Sequence, residues 1–167
     1  DMPALTEQDV RGAANIVGQM GTGPFRRALE MDVDVIVAGR ACDTGIFAAL
    51  PTALGFPTGL SVHMAKIVEC ASLCCVPGGR DSILAILDDD GFVLESMNPD
   101  RRATPVSVAA HSLYEQADPY TVHEPDGSLD LTNAHYVAVD DRRTRVSGAG
   151  WKDSTDPTIK LEGATKI

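Results

Sequence analysis

Three groups of charged and polar residues in this sequence have the types and spacing for ligand binding or proton transfer. The first is Gly39-Arg40, which follows the apolar run 33–38 and precedes Asp43 at the predicted start of a helix. In open α/β sheets, ligands bind where strands end beside helix N-termini. An arginine there can hold a carboxylate or phosphate with paired hydrogen bonds. The alternative is structural, with Asp43 capping the helix and pairing with Arg40.

The second group lies on a helix predicted over 59–75. At about 100° per residue, His63, Cys70 and Cys74 line one flank of its apolar face, with Lys66 beside them. His63 has the side chain to exchange a proton near neutral pH, and Lys66 can pair with an anion. The alternative is that these side chains only contact a neighbouring element. The spacing Cys70-x-x-x-Cys74-Cys75 differs from the usual zinc pattern, so no metal site is predicted.

The third group is the turn Pro77-Gly78-Gly79-Arg80-Asp81. Glycines in a turn let the backbone approach a ligand closely, so Gly79 and Arg80 are predicted to help bind a substrate. The alternative is that these glycines only form the turn. Together, the three groups predict a site in which Arg40, Lys66 and Arg80 hold an anion while His63 and Asp43 act in catalysis.

A catalytic triad is not predicted. On the helix expected after Thr104, Ser107 and Glu115 each lie four residues from His111. Neighbours one turn apart on a straight helix rarely bring a nucleophile, a base and an oxyanion hole together, and no G-x-S-x-G motif occurs. An ion pair of His111 with Glu115 is predicted instead. P-loop, G-x-G-x-x-G and H-E-x-x-H motifs are also lacking, so no cofactor is predicted.

The composition favours a globular cytoplasmic protein. The 167 residues include 14 basic and 24 acidic side chains, for a formal net charge of −10. With no Lys/Arg cluster longer than a pair, binding to nucleic acid or an anionic membrane is not expected. No apolar run approaches the ~20 residues that span a bilayer, and no signal peptide is visible. The crowding of three of the four cysteines is unlike a secreted disulfide framework.

Periodicity and turn residues predict the elements that would position these groups. The predicted helices cover residues 7–20, 24–31, 44–50, 59–75 and 105–116. Thr6 is predicted to cap the first of these helices and Thr104 the last, and Pro51 is predicted to end the third. The predicted strands cover 33–38, 83–87, 92–95, 129–131, 136–139 and 144–146, and residues 158–161 are strand-like. Polar turns are expected at 88–91 and 140–143.

These elements predict an α/β fold. The continuous Val/Ile run 33–38 is typical of a strand covered on both faces, and it lies between helices. We therefore expect a helix-covered, mainly parallel sheet over 1–118, containing the site, followed by a β-hairpin-rich extension over 119–167 that belongs to the same incomplete domain. Because the sequence begins at Asp1 and stops just after a strand-like segment, it is expected to be a central piece of a longer protein.

Several unbroken blocks, spread over nearly the whole chain, resemble the acyclic terpene utilisation (AtuA-like) family. The blocks are Val35–Asp43, His63–Cys70, Pro77–Asp81, Met97–Pro99, Thr104–Gln116 and Arg145–Ala149. The resemblance implies a longer, cytosolic bacterial protein that takes part in the breakdown of branched, terpene-derived acids and their thioesters. It implies no particular catalytic residue.

Two functions follow as hypotheses. The first is a metabolic enzyme, or the core of one, that acts on a small carboxylic acid or acyl thioester by a hydratase, lyase or isomerase reaction. The second is a non-catalytic scaffold or assembly subunit that works with a partner protein, favoured by the lack of a recognised catalytic set. In both cases the chain is expected to form a homo-oligomer or to bind a partner subunit.

Overall fold

The computed structural model describes residues 5–114 and 116–165. Its helices are α1 (Glu7–Gly12), α2 (Thr22–Leu29), α3 (Asp43–Ala53), α4 (Thr58–Val68), a 3₁₀ helix (Ala71–Cys74) and α5 (Pro105–Ser112). Its strands are β1 (Ala13–Gln19), β2 (Ile83–Leu87), β3 (Gly91–Ser96), β4 (Thr121–Glu124), β5 (Gly127–Asp130), β6 (His135–Ala138), β7 (Arg143–Ser147), β8 (Gly150–Asp153) and β9 (Lys160–Thr165). The predicted partner of His111, Glu115, lies outside the described residues.

The strands form three small antiparallel sheets, so the prediction of a helix-covered, mainly parallel sheet is wrong. Their strand orders are β1-β9, β2-β3-β7-β6 and β4-β5-β8. Every strand pairing among the described residues is antiparallel, and the one parallel contact is an isolated bridge between Met20 and Ala41. Short connections such as Asp88–Gly91 allow neighbouring strands to pair as hairpins, which produces antiparallel rather than parallel sheets.

The apolar run 33–38 is not a strand, contrary to the prediction. It is irregular and exposed, with 75% of Val35 and 93% of Val37 accessible to solvent. A β-branched run becomes a strand only where a neighbouring backbone supplies hydrogen bonds. Here the neighbouring backbone is that of Met20. Its backbone hydrogen bonds go to Arg40 and Cys42, which lie beyond the end of the run.

The prediction of a helix over 7–20 is also wrong beyond Gly12, where α1 ends. Thr6 and Asp9 form a reciprocal capping box that starts α1 as expected. The chain then becomes extended and pairs with β9 through Ala13–Gln19. The β-branched residues Ile16 and Val17 favour this pairing, and both remain exposed instead of forming a buried helical stripe.

The helix predicted over 59–75 is shorter in the structure. It ends at Val68, and Ala71 then takes a left-handed backbone conformation with φ of 53°, which an α-helix cannot include. Pro51, expected to end the preceding helix, instead lies in the last turn of α3. The helix predicted to reach residue 116 begins as expected, with Thr104 as cap and Pro105 in the first position, and stops at Ser112.

Helix α4 is the centre of the fold, because it packs against both larger sheets. Eight of its 11 residues are buried. Met64 and Ile67 belong to a core shared with β3 and β7, whereas Val62 and Ala65 pack in a second core with Leu129 of β5. Both cores combine residues from the predicted segments 1–118 and 119–167. None of the helices in the described ranges is long and apolar enough to cross a membrane.

The close approach of α4 to β8 depends on Gly59. A Cβ atom at this position would lie 2.7 Å from the carbonyl oxygen of Ala149 and 2.7 Å from the carbonyl carbon of Gly150. Alanine normally stabilises a helix over glycine by ~1 kcal/mol. Here we expect Gly59→Ala to lower the free energy of unfolding by about 1–3 kcal/mol, because backbone atoms must move apart.

Urea denaturation of the Gly59→Ala variant measures this effect. The matched control is Gly12→Ala in α1, where a Cβ would meet no atom within 4 Å. The control is expected to be unchanged or slightly stabilised. Equal stability of Gly59→Ala and the unmodified chain would show that α4 and β8 are not packed this closely.

Candidate active site

A cavity of about 280 Å³ lies where α2 and α3 begin, beside the turn between β4 and β5. Gly21, the N-cap of α2, and the first helical residues Thr22 and Gly23 form one wall, and Thr44 and Gly45 of α3 form another. Gly45 permits this arrangement because a Cβ there would lie only 3.1 Å from the carbonyl carbon of Gly21. The N-termini of two helices therefore border one cavity, and each carries a partial positive charge.

The cavity wall also contains charged and aromatic side chains. Arg26 lies one turn into α2, and Asp126 in the β4–β5 turn accepts a 3.1 Å hydrogen bond from the hydroxyl of Thr22. On β8, the indole Nε1 of Trp151 donates to Asp153 at 2.7 Å. The cavity thus combines one guanidinium, carboxylates and an aromatic surface.

An ion pair lies behind Thr44. Lys66 Nζ is 2.7 Å from Glu69 Oε1, and these side chains are only 12% and 8% exposed. The hydroxyl of Thr44 donates to the other carboxylate oxygen of Glu69 at 3.1 Å. Burial alone would lower the pKa of Lys66, but the hydrogen bond and charge of Glu69, aided by Glu124, raise it above the ordinary lysine value. Lys66 is therefore a firmly held cation.

Glu124, at the end of β4, lines the cavity next to Thr44. Burial raises the pKa of its carboxyl above the ordinary value, while Lys160, Thr44 and Lys66 oppose that rise. A raised pKa favours the protonated acid, which can donate a proton to a bound molecule. Glu69 differs from Glu124 because it is paired with Lys66. Such unequal carboxyl environments are a feature of acid–base sites.

The residues predicted at the end of the 33–38 run do not enter this cavity. Arg40 lies 3.2 Å from Glu162 of β9, and both side chains are about half exposed. Gly39 is exposed, with open space where a Cβ would lie. Asp43 is the exposed first residue of α3, and Cys42 occupies the N-cap position. The structural alternative, in which Asp43 caps the helix and pairs with Arg40, is therefore wrong, because Arg40 pairs with Glu162.

His63 lies in the core. It has no exposed surface, and its Nε2 atom is 3.2 Å from Ser112 Oγ and 3.3 Å from Tyr136 Oη. Its Nδ1 atom has no hydrogen-bond partner among the described residues. Burial lowers its pKa from 6.5 to about 4, so the ring is neutral at pH 7. Its catalytic role stays a prediction, and it does not line the cavity.

The turn that contains Gly79 and Arg80 is held by Arg101. Its guanidinium pairs with Asp81 and donates to the carbonyl oxygens of Pro77 at 2.8 Å and Gly78 at 2.7 Å. A side chain at Gly79 would collide with this guanidinium, whereas Arg80 is exposed.

Of the predicted binding residues, the structure brings only Lys66 to the candidate site. Gly39, Arg40, Gly79 and Arg80 lie elsewhere, and their predicted role in substrate binding stays a prediction. The described residues include no group of three or more His, Cys, Asp or Glu side chains arranged to hold a metal.

Sequence reasoning missed Arg26, Thr44, Glu69 and Glu124. Glu69 had a recognisable signal, because it follows Lys66 by three residues and such pairs meet on a helix. Glu124 had no such signal in the sequence. It is one acid in a short polar segment, and it is 80 residues away from Thr44 in the chain. No protein-family model, curated protein or solved structure matches this chain. The resemblance to the AtuA-like family therefore remains a prediction from the sequence.

Proposed function

We propose that this chain is an acid–base enzyme, or the core of one, that acts on a small hydroxylated carboxylic acid or its thioester. The observation that carries the proposal is the half-buried carboxyl of Glu124, which lines the same cavity as Arg26. One group is suited to move a proton and the other to hold an anion. Hydration, dehydration and isomerisation all need this combination.

The groups have separate roles in the proposed reaction. Arg26 and the first backbone N–H groups of α2 bind the carboxylate of an acid substrate, or the carbonyl oxygen of its thioester. In dehydration, Glu124 gives its proton to the leaving hydroxyl, the carbon–oxygen bond breaks and water departs. The carboxylate that Glu124 has become then takes the proton from the neighbouring carbon, so the double bond forms and Glu124 returns to its acid form. Thr44 donates a hydrogen bond to Glu69 and so connects this part of the cavity with the Lys66–Glu69 ion pair. That ion pair keeps a fixed charge distribution behind Thr44.

The cellular role is part of the same proposal. We place the reaction in the cytoplasmic breakdown of branched, terpene-derived acids, on the support of the sequence blocks that resemble the AtuA-like family and of the cysteine pattern. The half-buried Trp151 in the cavity wall offers an apolar surface for a branched carbon chain.

The test uses a 3-hydroxy acid, the matching 2,3-unsaturated acid and their thioesters, with proton NMR in D₂O to follow interconversion and deuterium uptake. We expect Glu124→Gln to slow the reaction about 100-fold, because the amide cannot donate a carboxyl proton. Arg26→Met is expected to weaken substrate binding about 10-fold through loss of a charge-assisted contact.

Two variants serve as matched controls. Arg27→Met removes the neighbouring cation of α2, and Glu30→Gln removes an exposed carboxylate at the end of that helix. Both are expected to retain activity. Conversion that is unaffected by Glu124→Gln, or failure of every compound to shift the NMR signals of the cavity residues, would overturn the proposal.

A second candidate function is a non-catalytic assembly subunit that binds a partner protein or a second copy. The exposed apolar segment 33–38 favours it, because Val35 and Val37 leave a surface that association would cover. Native mass spectrometry decides between the two candidates. A monomer that catalyses the reaction alone would exclude the assembly role, whereas an inactive chain that gains activity only with a partner would support it.

A further inference from the structure

Two adjacent cysteines, Cys74 and Cys75, are both buried, and their Sγ atoms lie 4.0 Å apart. Adjacent side chains usually diverge along a regular element. Here Cys74 ends the 3₁₀ helix and Cys75 becomes extended, with φ of −103° and ψ of 173°. This change of backbone conformation directs both thiols into the core shared by α4, β3 and β7.

The surroundings of the pair distinguish the two sulfurs. The Cys74 thiol lies within hydrogen-bond distance of Cys75, and this contact, together with Ser96 and the charges of Arg101 and Arg142, lowers the pKa of Cys75. The same contact and burial raise the pKa of Cys74. Cys75 is therefore the better nucleophile, because the thiolate is the reactive form.

Both guanidiniums are fixed in place by the backbone around the pair. Arg101 is held by Asp81 and by the carbonyl groups of residues 77 and 78. Arg142 donates to the carbonyl oxygens of Ser96 at 3.1 Å and Asn98 at 3.3 Å, and also to that of Pro99. The two positive charges that help lower the pKa of Cys75 are thus held in place by the fold.

We propose that Cys74 and Cys75 are an oxidation site at which a small peroxide converts the two thiols to an intramolecular disulfide. The Cys75 thiolate attacks a peroxide oxygen and breaks the O–O bond, which yields a sulfenic acid and hydroxide. The Cys74 thiol then attacks the Cys75 sulfur. The S–S bond forms, the sulfenic oxygen leaves as water with the thiol proton, and two thiols are oxidised for each peroxide reduced.

Oxidation changes the turn that carries Arg80. An S–S bond of ~2.05 Å requires the two sulfurs to leave their present 4.0 Å separation. Both side chains must rotate, and Cys75 leads through Val76 directly into residues 77–81. Two backbone hydrogen bonds join Val76 to Arg102, with lengths of 2.8 and 3.0 Å. Because Val76 follows Cys75 directly, rotation of Cys75 disturbs these hydrogen bonds first.

The experiment exposes the folded chain to increasing hydrogen peroxide, blocks the remaining thiols with iodoacetamide, and analyses the digested peptides by mass spectrometry. We expect the peptide with Cys74 and Cys75 to lose two hydrogens and escape alkylation before Cys42 or Cys70 reacts. In Cys74→Ser, dimedone is expected to trap a sulfenic acid on Cys75. Cys75→Ser is expected to react at least ~10-fold more slowly.

Circular dichroism at each peroxide concentration shows whether the chain is still folded. Cys42→Ser and Cys70→Ser are the control variants, and they are expected to form the disulfide at the normal rate. First oxidation at Cys42 or Cys70, sulfinic acid without a disulfide, or disulfide formation only after unfolding would each overturn the proposal. The disulfide is detected in the peptides of the chain without substitutions, so this measurement remains valid even where a variant folds poorly.

Discussion

Replacement of Phe92 by alanine is expected to lower the free energy of unfolding by about 3–5 kcal/mol. Phe92 is completely buried, and β3 is hydrogen-bonded on both sides, by β2 and by β7. Its ring meets that of His63 edge to face, with the centroids 5.5 Å apart. Removal of the ring leaves a cavity between α4 and the sheet that strands paired on both sides cannot close.

Guanidinium chloride denaturation at neutral pH measures this loss. Val106→Ala is the matched control for a truncated apolar side chain, because Val106 is 80% exposed on α5. We expect that variant to change the unfolding free energy by less than about 0.5 kcal/mol. A loss at Phe92 as small as that at Val106 would contradict the placement of β3 in the core.

The second large effect is a loss of stability in mild acid that depends on His63. Burial lowers its pKa to about 4 in the folded chain, against 6.5 when unfolded. Between these values the unfolded state binds a proton that the folded state does not, so stability is complete above pH 6.5 and falls as the pH drops towards 4. A difference of this size corresponds to about 3 kcal/mol.

The measurement compares unfolding free energies at pH 7 and pH 4.5 for the unmodified chain and for His63→Gln. The variant is expected to lose most of this pH dependence, whatever its stability at pH 7. His123 is exposed and supplies the control. The His123→Gln variant is expected to keep the pH dependence of the unmodified chain. A His63 ring that titrates near pH 6.5 by NMR would show that water reaches the ring.

The effect of His63 illustrates what the sequence leaves open. A histidine among apolar residues on a predicted helix is compatible with a catalytic base or with a core residue. The structure places the ring in the core, because α5 and β6 bring Ser112 and Tyr136 to the Nε2 atom, and these residues are 49 and 73 positions away in the chain. Such contacts depend on topology and have no local signal.

Local features were largely predictable. The caps at Thr6 and Thr104, the hairpin β2–β3 with its acidic turn, and the polar β6–β7 turn all agree with the sequence analysis. In that last turn, Asp140 accepts backbone hydrogen bonds from Arg142 at 2.9 Å and Arg143 at 2.8 Å. Each of these features is stabilised by residues within a few positions of one another, so residue type and spacing are enough.

Only the tertiary structure determines the conformation of the 33–38 run and the position of the candidate site. The Val/Ile run has the composition of a buried strand, but a strand needs a partner backbone, and Met20 bonds only beyond its end. Glu124, Thr44, Glu69 and Arg26 come from four separate elements that meet because α4 packs between two sheets. By itself the sequence determined the caps at Thr6 and Thr104, the polar turns and the β2–β3 and β6–β7 hairpins, because these are short-range interactions. The sheet directions and the cavity depend on contacts between distant segments.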